Sequence, residues 1–180
     1  MNDYNLSNAE AALMGLLSEQ PMHPYQIEKE VKYRDMRFWT ELSMSSIYKL
    51  LRKLEKAGLV IKKEEKSPEN RLRKLYSLTS EGERKLKAKI GTLLSEPEHT
   101  RWNVDIGTYN SNLISEKDVQ EAMHEYRLSL REKIIGYRKL KEFLIETGCP
   151  PHRLAVSTRP VYLLEAEINW VNSYLKGKFG

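Results

Sequence analysis

Apolar residues recur at helical spacing through most of this chain, and the breaks between runs fall on proline, glycine and small polar residues. Ser7-Asn8-Ala9-Glu10 opens the first run with a capping-box pattern. Ala9, Leu13, Leu16 and Leu17 follow at three- and four-residue steps, until Gln20-Pro21-Met22-His23-Pro24 ends the run. The spacing predicts a second helix from about Pro24 to Tyr33 that buries Ile27 and Val31. A connection from Arg34 to Leu42 carries Phe38 and Trp39. A third helix is predicted from near Ser43, with Ile47, Leu50, Leu51 and Leu54 on one face. Ser45, Tyr48, Lys49, Arg52, Lys53 and Lys56 populate the rest of it. Gly58 stands where a left-handed cap is wanted. Leu59-Val60-Ile61 begins a strand and Leu75-Tyr76-Ser77-Leu78 ends one, with Ser67-Pro68-Glu69-Asn70 as the turn between them. These segments predict a two-stranded hairpin with arms rich in Lys and Arg.

A fourth helix begins at Thr79 or Ser80, where Ser80-Glu81-Gly82-Glu83 reads as another capping box. Leu86, Ile90, Leu93 and Leu94 mark its expected buried side, and Pro97 its end. Residues 97–114 hold Trp102, Tyr109 and few periodic signals, and read as a linker with aromatic anchors. Beyond it, Ser115-Glu116-Lys117-Asp118 caps a long helix. Val119, Met123, Tyr126, Leu130, Tyr137, Leu140 and Leu144 occupy seven of eight seam positions over four heptads, with only Lys133 out of pattern and Ile134 beside it. Gly148-Cys149-Pro150-Pro151 breaks the chain. A last helix is expected from Ser157 or Thr158, with Pro160 in its first turn. Along it, Val161, Leu164, Ile168, Val171 and Leu175 repeat at steps of three and four. Two such helices from one chain make a thin layer. Their seams are therefore expected to take a second copy of the chain, which makes these twelve positions the expected dimerisation residues.

The predicted fold is mainly α with a small β-hairpin. Residues 1–96 form a winged helix-turn-helix domain, 97–114 a linker and 115–180 a helical dimerisation domain. Charge separates the halves. Residues 1–94 hold 18 Lys and Arg against 13 Asp and Glu, whereas residues 95–180 hold 12 of each. The net charge of +5 therefore lies wholly in the half with the basic helix, as expected of a nucleic-acid reader joined to an assembly or sensing module. No apolar run approaches the roughly 20 residues that span a bilayer, and the N-terminus lacks the pattern of a signal peptide. Cys149 is the single cysteine, so no internal disulfide can form. A cytoplasmic location is expected.

Helix, tight connection, helix and basic hairpin is the order of a winged helix-turn-helix. The start of its reading helix goes deepest into the major groove and wants small or polar residues there. Ser43, Ser45 and Ser46 meet that need. Tyr48, Lys49, Arg52 and Lys53 offer donors to phosphates, and Lys66, Arg71, Arg73 and Lys74 lie at or near the hairpin tip. The rival reading is a winged-helix module that binds protein instead. Such a module would carry acids on the reading face, but Glu55 is the only acid between Ser43 and Ile61. An enzyme would need a convergent polar cluster. No nucleophile elbow, triad-like context or phosphate-cradling glycine loop stands in the chain, so no catalytic residue and no cofactor are expected. His23, His99, His124 and His152 are scattered without ligand spacing, and no metal site is expected.

Three segments together resemble the PadR family of transcriptional regulators. Pro21-Met22-His23-Pro24-Tyr25-Gln26-Ile27 matches the family's His-(Gly or Pro)-Tyr-x-Ile element. Ser46 to Val60 matches its Tyr-x-x-Leu-x-x-Leu-x-x-x-Gly-Leu-(Ile or Val) reading helix. Tyr76-Ser77-Leu78-Thr79-Ser80-Glu81-Gly82 matches its Tyr-x-Leu-Thr-x-x-Gly exit from the wing. The long second half is similar to the larger PadR subgroup, which includes virulence-gene activators. The resemblance implies a homodimer that binds double-stranded DNA sequence-specifically, usually as a repressor, sometimes relieved by a small aromatic or drug-like effector. It places Ser45, Ser46, Tyr48 and Lys49 on the reading helix, Arg71 and Arg73 in the wing, and Tyr25 within reach of a phosphate. Where the family often has Pro-Gly or a similar small pair, this chain has Ser45-Ser46.

Overall fold

Among the described residues, seven α-helices and one hairpin form, and six of the helices and the hairpin follow the order of the hydrophobic pattern. The computed structural model describes residues 4–66, 70 and 72–179, and side chains as far as residue 177. Backbone contacts divide the chain into two compact units, Met1–Glu98 and His99–Gly180.

In the first unit, α1 (Asn8–Leu17) starts on the expected capping box, with the Glu10 amide donating to Ser7 Oγ and the Ser7 amide donating to the Glu10 carboxylate. Helix α2 (Pro24–Tyr33) has proline at its first position, where a missing N–H is harmless. Helix α3 (Met44–Lys56) is capped by Ser43, whose hydroxyl accepts from the Ser46 amide. Gly58 then turns left-handed at φ +70°, and the Leu59 amide donates to the Leu54 carbonyl. This closes α3 with a Schellman motif. Strands β1 (Val60–Lys66) and β2 (Leu72–Leu78) pair antiparallel, from Val60 opposite Leu78 to Lys66 opposite Leu72. Ser67, Pro68 and Glu69 of the expected turn lie outside the described residues. Met22 and Tyr76 exchange two backbone hydrogen bonds of 3.0 Å, so the residue before His23 is stitched to β2.

The core of this unit joins Leu13, Met14, Ile27, Val31, Ile47, Leu51 and Leu54, all fully buried. Glu10 is fully buried too. Its carboxylate accepts from the Tyr4 hydroxyl at 2.6 Å and from the Ser7 amide at 2.7 Å, and pairs with Lys53 Nζ of α3 at 2.8 Å. Burial acts to raise this carboxyl, but the bonds from Lys53, Tyr4 and Ser7 outweigh it and hold it below the ordinary carboxylate range.

Helix α4 (Ser80–Ser95) departs from expectation at both ends. Its cap is Thr79 rather than Ser80: Thr79 Oγ1 accepts from the Gly82 amide at 3.0 Å and donates to the Gly58 carbonyl at 2.9 Å. Of the residues expected on its buried side, only Leu86 is buried, while Ile90, Leu93 and Leu94 are exposed within the chain. The helix runs on past the edge of its own core. Gly82 lies against the end of α3 and the start of the hairpin, and a Cβ there would stand 2.0 Å from the Leu59 carbonyl oxygen.

The second unit begins inside the segment read as a linker. Residues 97–114 hold a short helix, α5 (Asn103–Tyr109), and a 3-10 turn at Ser111–Leu113. Trp102 and Tyr109 are exposed rather than anchored. Helix α6 (Glu116–Glu146) is capped by Ser115 and closed by Gly148 at φ +70°. Helix α7 (Ala155–Phe179) starts two to three residues before the predicted Ser157 or Thr158, so Pro160 falls in its second turn. Both hydroxyls point back to the Leu154 carbonyl and sit inside the helix instead of capping it.

The α6 and α7 seams close on each other. Val119, Met123, Leu130 and Val171 form one buried cluster, flanked by Tyr126, Leu164, Ile168, Tyr174 and Leu175. Leu140 and Leu144 are also buried, and Ile134 is buried beside the out-of-pattern Lys133. Within the chain the positions expected to face a second copy pack α6 and α7 on each other, with Tyr126, Tyr137, Val161, Leu164, Ile168 and Leu175 left half-buried. Hydrogen bonds link the helices at three levels: Tyr126 to Glu167, Arg127 to Asn172 and Arg138 to Glu165. Burial, with the Glu167 carboxylate, pushes the Tyr126 phenol up to about 12. Among the described residues, no helix is long and apolar enough to cross a membrane.

Two measurements test this account. Gly82→Ala forces backbone apart at the α3–hairpin–α4 junction and is expected to cost about 2 kcal/mol or more in urea unfolding. Glu10 has a depressed folded-state pKa, so its contribution to stability is present above the ordinary carboxylate range and is lost as pH falls through the folded value. Glu10→Gln is therefore expected to lower neutral-pH stability by about 1–3 kcal/mol and to flatten the stability loss below about pH 4.

Candidate nucleic-acid interface

Helix α3 has a strongly two-sided sequence, and the structure seats its apolar side completely. Ile47, Leu51 and Leu54 face the core, and Leu50 is partly covered. Ser45, Tyr48, Lys49, Arg52 and Lys56 are exposed. Arg52 folds along the helix, its Nε donating to the Tyr48 carbonyl at 3.4 Å.

Three of the expected contact residues have other work. Ser43 and Ser46 form a reciprocal cap: the Ser43 amide donates to Ser46 Oγ at 2.7 Å, and Ser46 Oγ lies 2.8 Å from the Ser43 carbonyl. Ser45 remains exposed, its hydroxyl 3.1 Å from that of Ser43. Lys53 turns off the reading face. Its ammonium lies 5.3 Å above the Tyr4 ring centroid and is held by buried Glu10, which raises its pKa. It tethers α3 to α1 while its side chain stays 55% exposed.

The start of α3 is held from α2. Arg37, in the 3-10 turn Met36–Phe38, reaches both Glu28 carboxylate oxygens at 2.8 and 2.9 Å, and its Nε donates to the Leu42 carbonyl at 2.9 Å. Glu28 is itself nearly buried. The connection between α2 and α3 is thus pinned one residue before the Ser43 cap.

Tyr25 projects from the first turn of α2 and is 71% exposed. It shares a cleft with His23, Gln26, Tyr48, Leu72, Arg73 and Lys74. The fold therefore brings together Tyr25 of α2, Tyr48 of α3 and Arg73 of the hairpin. Lys66 is exposed near the tip, and Arg71 lies outside the described residues. Leu72, an apolar residue 70% exposed on this cleft, and Gln26 also line it, and the sequence pattern marks neither. Leu72 stands in a strand, where alternation alone does not separate an outward position from an inward one. The exposed positive row meets little opposing charge: Glu55 is half-buried and lies 3.4 Å from Lys62. This arrangement suits a polyanion. Among the described residues, no three His, Cys, Asp or Glu side chains stand together to hold a metal ion.

Residues 13–88 match the model of the Transcriptional regulator PadR-like family. The structure of Bacillus subtilis PadR in complex with operator DNA is similar to this chain at TM-score 0.74 and 21% identity, over 93% of this chain and 97% of that one. The same Bacillus subtilis protein in complex with p-coumaric acid is similar at TM-score 0.70 and 20% identity, over 93% and 96%. The Vibrio cholerae virulence activator AphA is similar at TM-score 0.64 and 17% identity, over 94% and 97%. At these identities the likeness shows the fold. No curated protein matches the chain in sequence. Over residues 13–88, within its winged-helix unit, the chain is similar to the PadR-like family of transcriptional regulators.

Proposed function

We propose that this chain is a transcriptional regulator that acts in the cytoplasm as a homodimer, binds a pseudo-palindromic operator in double-stranded DNA, and represses transcription there. The observation that carries the reading is the exposed row of Ser45, Tyr48, Lys49, Arg52 and Lys56 on a helix whose opposite face is fully seated. The start of α3 enters the major groove, with Ser45 and Tyr48 nearest the bases. Tyr25, Arg73, Lys74 and Lys66 engage flanking phosphates, and Arg71 falls in the same hairpin by sequence. Cations supply most of the affinity by releasing counterions. The chain works by binding, not by catalysis.

A second copy is supported by apolar surface that the chain leaves open. Ile90, Leu93 and Leu94 on α4, and Tyr162, Leu163 and Trp170 on α7, are uncovered. Two reading helices related by a twofold axis would meet major grooves about one turn, roughly 10 base pairs, apart. Bacillus subtilis PadR has been seen with p-coumaric acid. By analogy we extend a small aromatic effector to this chain, where Trp170 and Tyr174 stack at 5.6 Å in the helical unit.

Selection of bound duplexes from a random pool tests binding, symmetry and spacing together. The expected product is an inverted repeat with half-sites about one helical turn apart. Lys49→Ala and Arg52→Ala are each expected to weaken binding roughly three- to tenfold across sequences and to reduce the salt slope by about one. Enrichment of no duplex, or unchanged affinity in both variants, would reassign this face to a protein partner. Sedimentation of one chain per particle at micromolar concentration would remove the homodimer.

A further inference from the structure

His23 stands where α2 meets the hairpin, and both of its ring nitrogens face oxygen. Nδ1 lies 2.9 Å from the Lys74 carbonyl on β2, and Nε2 lies 3.0 Å from a Glu65 carboxylate oxygen on β1. A carbonyl and an ionised carboxylate only accept hydrogen bonds. Neutral imidazole has one N–H, so it can satisfy one of these oxygens while its other nitrogen aims a lone pair at the second. Imidazolium has two N–H groups and satisfies both.

The position of the ring gives this chemistry a mechanical role. The Met22–Tyr76 bridge already holds the base of the hairpin. His23 is the next residue, and its ring grips two residues further out at Lys74 and across to Glu65, short of the tip residues Lys66 and Leu72. Its own backbone is fixed, because the His23 amide donates to Gln26 Oε1 at 2.8 Å. Other ionisable groups line the same cleft: Arg73 and Lys74 on β2, and the phenols of Tyr25 on α2 and Tyr48 on α3. Both β2 cations are exposed and screened by solvent, whereas Glu65 touches the ring directly.

We propose that His23 is a positioning residue for the wing: in its doubly protonated form it clasps both strands to the start of α2 and so sets the reach of the hairpin toward DNA. The link to DNA rests on the binding reading above. Loss of one proton frees one strand from the clasp. The hold is therefore stronger where the ring is doubly protonated than where it is neutral.

Glu65→Gln separates this clasp from a general effect of pH. The introduced amide can turn either its NH2 or its oxygen toward Nε2, so it completes the clasp with neutral or charged imidazole alike. Hydrogen exchange of the hairpin amides outside Tyr76, corrected for intrinsic rates, is measured on the full DNA-free chain near pH 6 and near pH 8. Protection in the native chain is expected to be about three- to tenfold greater at the lower pH, and about equal at both in Glu65→Gln. Affinity for the duplex selected above should show the same contrast in its ratio between the two pH values. Equal ratios in the native chain and the variant, in either measurement, overturn the clasp. Hairpin protection that titrates in the native chain alone, with no duplex bound at either pH, upholds the clasp and removes the DNA-binding reading instead.

Discussion

A buried carboxylate at each end of α3 fixes the rotation of that helix, and every surface assignment in the winged unit depends on it. An apolar stripe alone seats a helix loosely, because neighbouring Leu and Ile side chains can exchange places in a core at small cost. Charge placed out of water is less forgiving. Glu10 has no solvent to turn to and holds Lys53 near the C-terminal end of α3. Glu28 holds Arg37, which in turn holds the Leu42 carbonyl just before the helix begins. With both ends tied, Tyr48, Lys49 and Arg52 point one way only. Preorganisation of this kind spares a binding helix the entropy of finding its own orientation.

Much of this arrangement was readable from short-range chemistry. The bounds of α2 and α3 follow from Pro24, Ser43 and Gly58, because proline at a first turn, a hydroxyl cap and a left-handed glycine are local devices. Part of what the sequence does not show depends on residues far apart in the chain. Lys53 looks like Lys49 on a helical wheel, and only the position of Glu10 on α1 separates tether from contact residue. Ser46 looks like Ser45, and only the cap geometry at Ser43 shows that its hydroxyl is occupied. Arg37 sits in a connection with no periodicity at all.

The second unit shows the same limit from the other side. A heptad seam states that a face is covered and leaves open by what. Here the partner is α7, reached through the break at Gly148 and a 3-10 turn at Pro151–Leu154. Val119, Met123, Leu130 and Val171 thereby become the interior of a hairpin of helices. The apolar residues left in the open stand off that seam, among them Ile135, Tyr162, Leu163 and Trp170. Ile90, Leu93 and Leu94 continue a helical stripe past the point where their own core ends, so periodicity alone could not distinguish them from Leu86.

Gly82 allows two stretches of main chain to meet with no side chain between them. In mechanical terms the junction is a weld rather than a hinge. Thr79 adds a second fastening by reaching back to the Gly58 carbonyl. Close-packed contacts resist compression and pass strain on rather than absorbing it. A load applied along α4 therefore arrives at the root of the hairpin with little slack to dissipate it.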